Sequence, residues 1–185
     1  MRAAVREAAI EELTTTGYAA LTVERVAQRA GVHKTTIYRN WKDADSLLAD
    51  ALAQHFAGDI PIPDTGTVEG DLRALARSLV ATMTTPAGRA LLAAVLSDAV
   101  RVPQLAEVKR TLFDDRFRRA EPVVTRAVER GEVPADTDPT ELLKNLAAPL
   151  YFRLVLTGEP VDATTADRAV HVALAAARAP APPAD

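Results

Sequence analysis

The stretch from Thr22 to Lys42, TVERVAQRAGVHKTTIYRNWK, constrains the fold more than any other part of the chain. Its first part predicts a short amphipathic helix, because four apolar residues recur at helical spacing: Val23, Val26, Ala27 and Ala30. Thr22 is placed as the N-cap of this helix. Gly31 is expected to end it, since a residue without a Cβ reverses the chain most easily in the left-handed conformation.

A second short helix is predicted to start near His33. Ile37 and Trp41 are four residues apart and are expected to face inward. The side chains expected to point outward are rich in hydrogen-bonding groups: Lys34, Thr35, Thr36, Tyr38, Arg39 and Asn40. Two short helices joined by a tight glycine turn are typical of a helix-turn-helix, whose second helix enters the major groove of DNA.

Helices are also predicted on both sides of this motif. Residues from Arg2 to Thr16 carry one apolar stripe and stop at Gly17. After Trp41, either Asp43 or Asp45 is expected to cap a fourth helix, which Gly58 closes.

The segment from Gly17 to Leu48 resembles the DNA-binding domain of TetR-family transcriptional regulators. The resemblance rests on Leu21-Thr22-Val23, Val26-Ala27, Ala30-Gly31-Val32, Thr36-Ile37-Tyr38, Trp41-Lys42 and Leu47-Leu48. It implies that the positions of Thr36, Tyr38 and Lys42 contact DNA, and that the protein acts as a transcriptional regulator, commonly a repressor.

The predicted DNA-binding residues carry chemistry that suits base edges and phosphates. Hydroxyl groups donate and accept hydrogen bonds, threonine methyl groups fit thymine, and ammonium or phenol groups reach guanine or phosphate oxygens. The predicted contacts are Thr22, Arg25, His33, Lys34, Thr35, Thr36, Tyr38, Arg39, Asn40 and Lys42.

Two positions depart from the family pattern. Many relatives have a serine where this chain has His33, and imidazole is a poorer helix cap than a hydroxyl. Many also have a lysine where this chain has Ala44. We therefore expect both positions to affect operator affinity, and we hypothesise that His33 contacts DNA or makes the affinity depend on pH.

The formal net charge of −3 excludes a histone-like mode in which many phosphate contacts supply nearly all the affinity. It does not exclude a small local footprint on DNA, because Lys34, Arg39 and Lys42 lie in a stretch without an acid. The chain has no cysteine and no long uncharged apolar run, so we expect a cytoplasmic protein that neither spans nor binds a membrane.

An enzyme is not expected. The sequence shows no phosphate-cradling glycine loop and no Gly-x-Ser-x-Gly elbow, and the adjacent acids Asp114 and Asp115 would point apart on a helix. His55 and His171 are too isolated for a metal site, so no metal and no cofactor are predicted.

The second part of the chain is predicted to be helical too, which makes the whole fold all-α. The linker is placed from Asp59 to Gly70. Further helices are expected over Leu72 to Met83, Pro86 to about Val100, Pro103 to Arg130, Pro139 to Gly158, and from a cap at Thr164 or Thr165. Pro122 is expected to kink or break the third of these, and Pro149 to bend the fourth.

Two domains are therefore predicted: a helix-turn-helix domain over residues 1–57, which includes a linking helix over 45–57, and a helical ligand-binding and dimerisation domain over 58–185. The resemblance implies that the last two long helices pair with those of a second copy. The predicted interface is Leu143, Leu150, Leu154, Ala166, Val170, Ala173 and Ala177.

A pocket for a largely apolar small-molecule effector is expected among the helices of the second domain. Its predicted wall is Leu79, Met83, Leu92, Leu96, Leu112, Phe113, Phe117, Leu146, Tyr151 and Phe152, and the polar groups available are Arg116, Arg153 and Tyr151. Each of these residues also fits plain core packing.

Three functions stay open from the sequence. The first is a homodimeric regulator that binds a near-palindromic double-stranded DNA operator and responds to a ligand. The second is a DNA-binding regulator whose helical domain takes no small molecule. The third is a helical enzyme or carrier with a coincidental motif.

Overall fold

The computed structural model of the protein describes residues 1–57, 62–96 and 102–179, and every regular element among them is a helix. The prediction of an all-α fold is confirmed. The α-helices are α1 (Arg2–Thr16), α2 (Val23–Ala30), α3 (Lys34–Tyr38), α4 (Ala44–Phe56), α5 (Val68–Met83), α6 (Pro86–Leu96), α7 (Pro103–Glu129), α8 (Pro139–Tyr151) and α9 (Ala163–Arg178). A short 3-10 helix covers Tyr18–Ala20, and a π-helix covers Phe152–Thr157.

The chain forms two compact units, each made from two pieces of sequence. The first unit comprises residues 1–59 and 85–114, and the second comprises residues 60–84 and 115–185. The predicted boundary between residues 57 and 58 therefore does not divide the cores, because α6 and the first part of α7 pack with the N-terminal helices. Periodicity along one helix does not indicate which distant helix will cover it.

In the first unit, α1 lies against α2, α4 and α6. The core is filled by apolar residues of all these helices together with the start of α7: Val5, Leu13, Val26, Ile37, Leu47, Leu48, Leu52, Leu91, Val95 and Leu105. Each fully buried side chain of this size contributes about 1.5–3 kcal/mol of transfer free energy. This core fixes the helix-turn-helix on its supporting helices.

Short-range capping sets several helix ends as predicted. The Thr22 side chain accepts from the backbone N–H of Arg25 at 3.2 Å, and the Asp43 carboxylate accepts from the N–H of Ser46 at 2.8 Å. Gly31 ends α2 in the left-handed conformation with φ 65°. A Cβ there would strain the backbone, so the tight turn depends on the glycine.

In the second unit, α5 and α8 both pack against α9. The predicted start of α9 at Thr164 or Thr165 is wrong, because the Asp162 carboxylate accepts from the N–H of Thr165 at 2.8 Å and caps the helix. The predicted start of α5 at Leu72 is also late. Thr67 caps that helix by accepting from the N–H of Gly70 at 3.1 Å, so Gly70 lies in the first turn of α5.

The two internal prolines have different outcomes. Helix α7 runs unbroken through Pro122, so the predicted alternative of a local break is wrong. After Pro149, α8 gives way at Phe152 to the π-helix, which ends at Gly158 with φ 68°. A proline has no backbone N–H to donate to the carbonyl four residues earlier in an α-helix. In the wider turns of a π-helix, backbone carbonyls accept instead from the N–H five residues later.

The predicted dimer interface is corrected by burial inside the subunit itself. Five of its residues are at most 4% exposed in the core of the second unit: Leu143, Leu150, Ala166, Val170 and Ala173. Leu154 and Ala177 are partly buried against the same core. A side chain packed within its own subunit leaves no surface for a partner, so the prediction is wrong for the five buried residues.

Some sequence predictions fall outside the described residues, namely the closing role of Gly58, the end of the helix predicted to about Val100, and the tail from residue 180. Within the described ranges, no single helix is long and apolar enough to cross a membrane. The bent pair α5 and α6 passes that test by length and composition alone.

Candidate nucleic-acid interface

The outward face of α3 carries the polar residues that the sequence singles out. Lys34, Thr35, Tyr38 and Arg39 are exposed, and Thr36 is partly exposed. The opposite side of the helix is anchored, since Ile37 is fully buried. The short helix therefore presents hydroxyl, ammonium, guanidinium and phenol groups together to solvent.

The N-terminus of α3 is capped by His33. Its Nδ1 atom accepts from the backbone N–H of Thr35 at 3.4 Å and lies 2.9 Å from Oγ1 of the same residue. The long backbone contact agrees with the expectation that imidazole caps less well than a hydroxyl. Accepting this bond requires an unprotonated Nδ1, so protonation at that nitrogen removes the cap.

The C-terminal end of α3 is held by Asn40. The side-chain amide of Asn40 donates to the carbonyl of Thr36 at 2.8 Å and accepts from Nε of Arg2 at 2.9 Å. The Arg2 guanidinium also lies 6.0 Å from the centre of the Trp41 ring. The Asn40 side chain therefore stabilises the end of α3 within the subunit itself. The sequence predicts Asn40 as a DNA contact and does not predict this structural role.

Arg25, another predicted contact, bonds to a buried acid. Glu12 of α1 is 2% exposed and accepts from Nε of Arg25, from Nε and Nη2 of Arg29 at 2.9 and 2.7 Å, and from Oγ1 of Thr16 at 3.1 Å. Burial alone would raise the pKa of Glu12, but the hydrogen bonds from Arg29, Arg25 and Thr16 and the charge of Arg25 lower it below its ordinary value. Glu12 therefore joins α1 to α2 as a carboxylate.

Sequence reasoning missed Glu12, although a signal was present. It lies on the buried side of α1 with Val5, Ala8 and Ala9. A single acid on an otherwise apolar helix face requires a buried partner, because an unpaired carboxylate inside a protein is costly.

Three side chains near the end of α3 are available for a ligand. Among the described residues, Tyr38, Arg39 and Lys42 have no hydrogen-bond or ion-pair partner, and Tyr38 is 49% exposed. Lys34 lies 3.6 Å from Glu24, an exposed contact that contributes little to stability. Lys34, Arg39 and Lys42 thus supply local positive charge that suits phosphate contacts, although the net charge of the protein is negative.

The residues predicted to line an effector pocket lie in both units. Leu92, Leu96, Leu112 and Phe113 belong to the first unit, and Leu79, Met83, Phe117, Leu146, Tyr151 and Phe152 belong to the second. Met83 and Leu146 are buried, whereas Phe152 is 54% exposed. Phe152 is therefore wrong as a wall residue, because its side chain faces solvent.

The polar groups predicted for that pocket are partly used elsewhere. Arg153 pairs with Glu159, but Arg116 has no ion-pair partner within 4 Å among the described residues. Partial burial lowers the pKa of Arg116, and burial raises the pKa of Tyr151 to about 12 despite the opposing charge of Arg116. Arg116 and Tyr151 are thus electrostatic neighbours and both remain hydrogen-bond donors near neutral pH.

A groove of about 450 Å³ lies elsewhere in the second unit, between the start of α8 and the end of α9. It contains none of the predicted pocket residues. Its lining includes Thr137, Asp138, Glu141, Asn145, Ala176 and Ala179.

Known families match most of the chain. The family model described as "Bacterial regulatory proteins, tetR family" matches residues 5–51, and the one described as "Tetracyclin repressor-like, C-terminal domain" matches residues 62–173. The first match covers α1 to α3 and most of α4, and so contains the interface described above.

Individual proteins are similar over most of their length. The HTH-type transcriptional regulator AqdR of Rhodococcus erythropolis is 31% identical over 173 residues, which cover 94% of this chain and 83% of that protein. The DNA-binding transcriptional repressor TetR of Mycobacteroides abscessus is 31% identical over 169 residues, covering 86% and 84%. The crystal structure of the TetR family transcription regulator SCO0332 matches with a TM-score of 0.73 and 36% identity, covering 94% of this chain and 96% of that one.

Proposed function

The chain belongs to the TetR family of DNA-binding transcriptional regulators, and from this premise we propose that it is a cytoplasmic, homodimeric repressor whose operator is near-palindromic and whose release is controlled by a small molecule. The observation that carries the proposal is the outward face of α3, where Thr35, Tyr38 and Arg39 are exposed beside the buried anchor Ile37. A helix anchored on one side and polar on the other fits the major groove.

The dimer brings two copies of α3 to half-sites one helical turn apart. Large apolar side chains on the surface of α9 and the π-helix support such an interface: Phe152 is 54% exposed, Leu156 is 73% exposed and Val172 is 56% exposed. They replace the buried residues that the sequence analysis assigned to the interface. Apolar side chains of this size are stabilised when a partner removes them from water.

The effector binds in the second unit and is largely apolar. Phe117 and Leu79, partly buried against that unit's core, supply apolar contact. Arg116 supplies a donor group that has no counter-ion within 4 Å among the described residues. A hydrogen-bond-accepting or acidic group on an apolar molecule complements this guanidinium.

Release is a shift of population between two states. The effector binds more tightly to the state in which the two α3 helices are wrongly spaced for successive major grooves, and α4 passes the movement along the chain. A ligand with equal affinity for both states would shift nothing, so useful release requires a difference of a few kcal/mol.

An electrophoretic mobility shift on DNA upstream of the protein's own gene tests the proposal. The wild type is expected to shift a specific fragment and Tyr38→Ala to lose most of that shift while its circular dichroism stays unchanged. Sedimentation of wild type and Phe152→Glu tests the dimer, with the charged variant expected to dissociate. The alternative, a regulator without a small-molecule effector, gains support if compounds that stabilise the second unit leave the DNA shift unchanged.

A further inference from the structure

Arg25 is held by one nitrogen and free at the other two. Its Nε donates to Oε1 of Glu12, and neither terminal nitrogen makes a hydrogen bond with any residue in the described ranges. The side chain is 50% exposed. A guanidinium fixed through Nε presents the N–H groups of both terminal nitrogens in a planar fork, the geometry that suits phosphate oxygens.

Arg25 also lies on the correct part of α2. It belongs to the first turn, where its own backbone N–H is taken by the Thr22 cap. The first helix of a docked helix-turn-helix crosses the DNA backbone, so its first turn approaches phosphates.

Glu12 has the properties of a residue that orients another. Its side chain is 3% exposed, and its two oxygens accept from Arg25, Arg29 and Thr16, which fills the acceptor sites of a carboxylate. The Arg29 contacts keep the carboxylate fixed when Arg25 moves. A buried, fully bonded acid cannot follow its partner, so it sets where the partner points.

We propose that Arg25 contacts a DNA phosphate through its terminal nitrogens and that Glu12 is the positioning residue that aims it. This inference rests on the proposed function, because it requires α3 of the same subunit to lie in the groove. The two arginines that share Glu12 then have different roles. Arg25 binds DNA, whereas Arg29, whose Nε and Nη2 both donate to Oε2 of Glu12, stabilises the fold.

The opposite role for Glu12 is neutralisation. In that case the buried carboxylate would cancel the positive charge of Arg25 and weaken its attraction for phosphate. The two roles predict opposite changes in affinity when the carboxylate is removed, so one experiment separates them.

The test measures fluorescence anisotropy of a labelled duplex that the full-length wild type selects from a random pool, in about 50 to 300 mM potassium chloride. The variants are Arg25→Ala, Glu12→Gln, the double variant and Arg29→Ala as the matched control. Arg25→Ala is expected to weaken binding about tenfold and to lower the salt slope by about two per dimer, one for each lost phosphate contact. Glu12→Gln is expected to weaken binding several-fold, and the double variant to behave like Arg25→Ala.

Arg29→Ala removes no proposed phosphate contact but loosens Glu12, so it is expected to lower the melting temperature and to reduce the salt slope by less than Arg25→Ala does. A Glu12→Gln variant that binds more tightly than wild type, or an Arg25→Ala variant with the wild-type slope, overturns the inference. If Glu12→Gln fails to fold by circular dichroism, Glu12→Asp keeps the charge but withdraws it by one methylene, so weaker binding supports aiming and unchanged binding overturns it. A wild type that selects no duplex overturns the proposed function instead.

Discussion

The indole N–H of Trp41 donates a hydrogen bond of 2.7 Å to a carboxylate oxygen of Asp50. The same carboxylate receives Nε and Nη2 of Arg6 at 2.9 and 3.1 Å. Because Trp41 follows α3, Asp50 lies in α4 and Arg6 lies in α1, this one carboxylate joins the end of α3 to α1 and α4. The orientation of α3 therefore depends on a contact made outside the DNA surface.

Replacing Asp50 with Asn is expected to lower the free energy of unfolding by about 1.5–3 kcal/mol at neutral pH, because hydrogen bonds to a charged group are lost or weakened. Urea denaturation followed by circular dichroism measures this difference. Asp45→Asn is the control for removing a carboxylate from α4, since within the described ranges the Asp45 side chain accepts one hydrogen bond, from the Tyr18 hydroxyl at 2.9 Å.

The effect of Asp50→Asn is also expected to depend on pH. Burial alone would raise the pKa of Asp50, but hydrogen bonds from Arg6 and Trp41 and the charges of Arg6 and Arg2 lower it. A lowered folded-state pKa stabilises the fold above the unfolded value of about 4, and this contribution is lost as the pH falls through the folded value. The difference between wild type and Asp50→Asn should be constant near neutral pH and shrink in acid; a constant difference down to about pH 2 would contradict it.

Two tyrosines of the first unit offer a matched pair. Tyr38→Phe removes an exposed hydroxyl that has no partner among the described residues, so operator affinity should fall several-fold with no change in stability. Tyr18→Phe removes a donor to Asp45 and should lower stability by about 1 kcal/mol with little change in affinity. Anisotropy and thermal melting of both variants check the pair, and the reverse pattern would count against the interface.

His33 is expected to be replaceable with a gain in stability. Its Nδ1 accepts from the N–H of Thr35 over a long 3.4 Å contact, and Asn is a better helix cap, so His33→Asn should raise the free energy of unfolding by about 0.5–1 kcal/mol. Urea denaturation of wild type and His33→Asn, with His55→Asn as the control histidine, measures the difference; an unchanged or lower stability of His33→Asn would contradict it.

Asp71 should be far less replaceable than Asp167, which lies in the same unit. It is fully buried, its Oδ1 accepts from the N–H and hydroxyl of Thr65 at 2.6 and 2.8 Å, and its Oδ2 lies 3.7 Å from Nη2 of Arg126. Asp71→Ala removes the two hydrogen bonds from Thr65 to a buried carboxylate and should cost about 1.5–3 kcal/mol. Asp167→Ala breaks an exposed pair with Arg77 and should change the urea midpoint little. Equal changes of the midpoint in the two variants would contradict the prediction that burial sets the loss of stability.

Local chemistry made much of the fold predictable. Thr22 and Gly31 act where the sequence places them, because a cap or a left-handed glycine depends on its own few neighbours. The start of α9 was misplaced because Asp162 stands two residues before Thr164 and all three candidates are good caps. The grouping of α6 with the first unit was not predictable, since it depends on packing between distant segments.

The candidate site divides in the same way. The outward face of α3 follows from the period of a helix, and Tyr38 is exposed as that period predicts. The partners of Arg25 and Asn40 do not follow from it, because Glu12 and Arg2 lie on another helix. The apolar surroundings of Glu12 in α1 were the one warning that a buried partner existed.

The core of the first unit, which supports the helix-turn-helix, has a consequence for recombination between genes. Leu91, Val95 and Leu105 fill that core alongside Val5 and Leu13, yet they are encoded far downstream. A crossover that exchanged only residues 1–57 between relatives would pack the helices of one protein against α6 and α7 side chains that fit the helices of the other. Chimeric regulators built from this chain should therefore inherit both gene segments from the same parent.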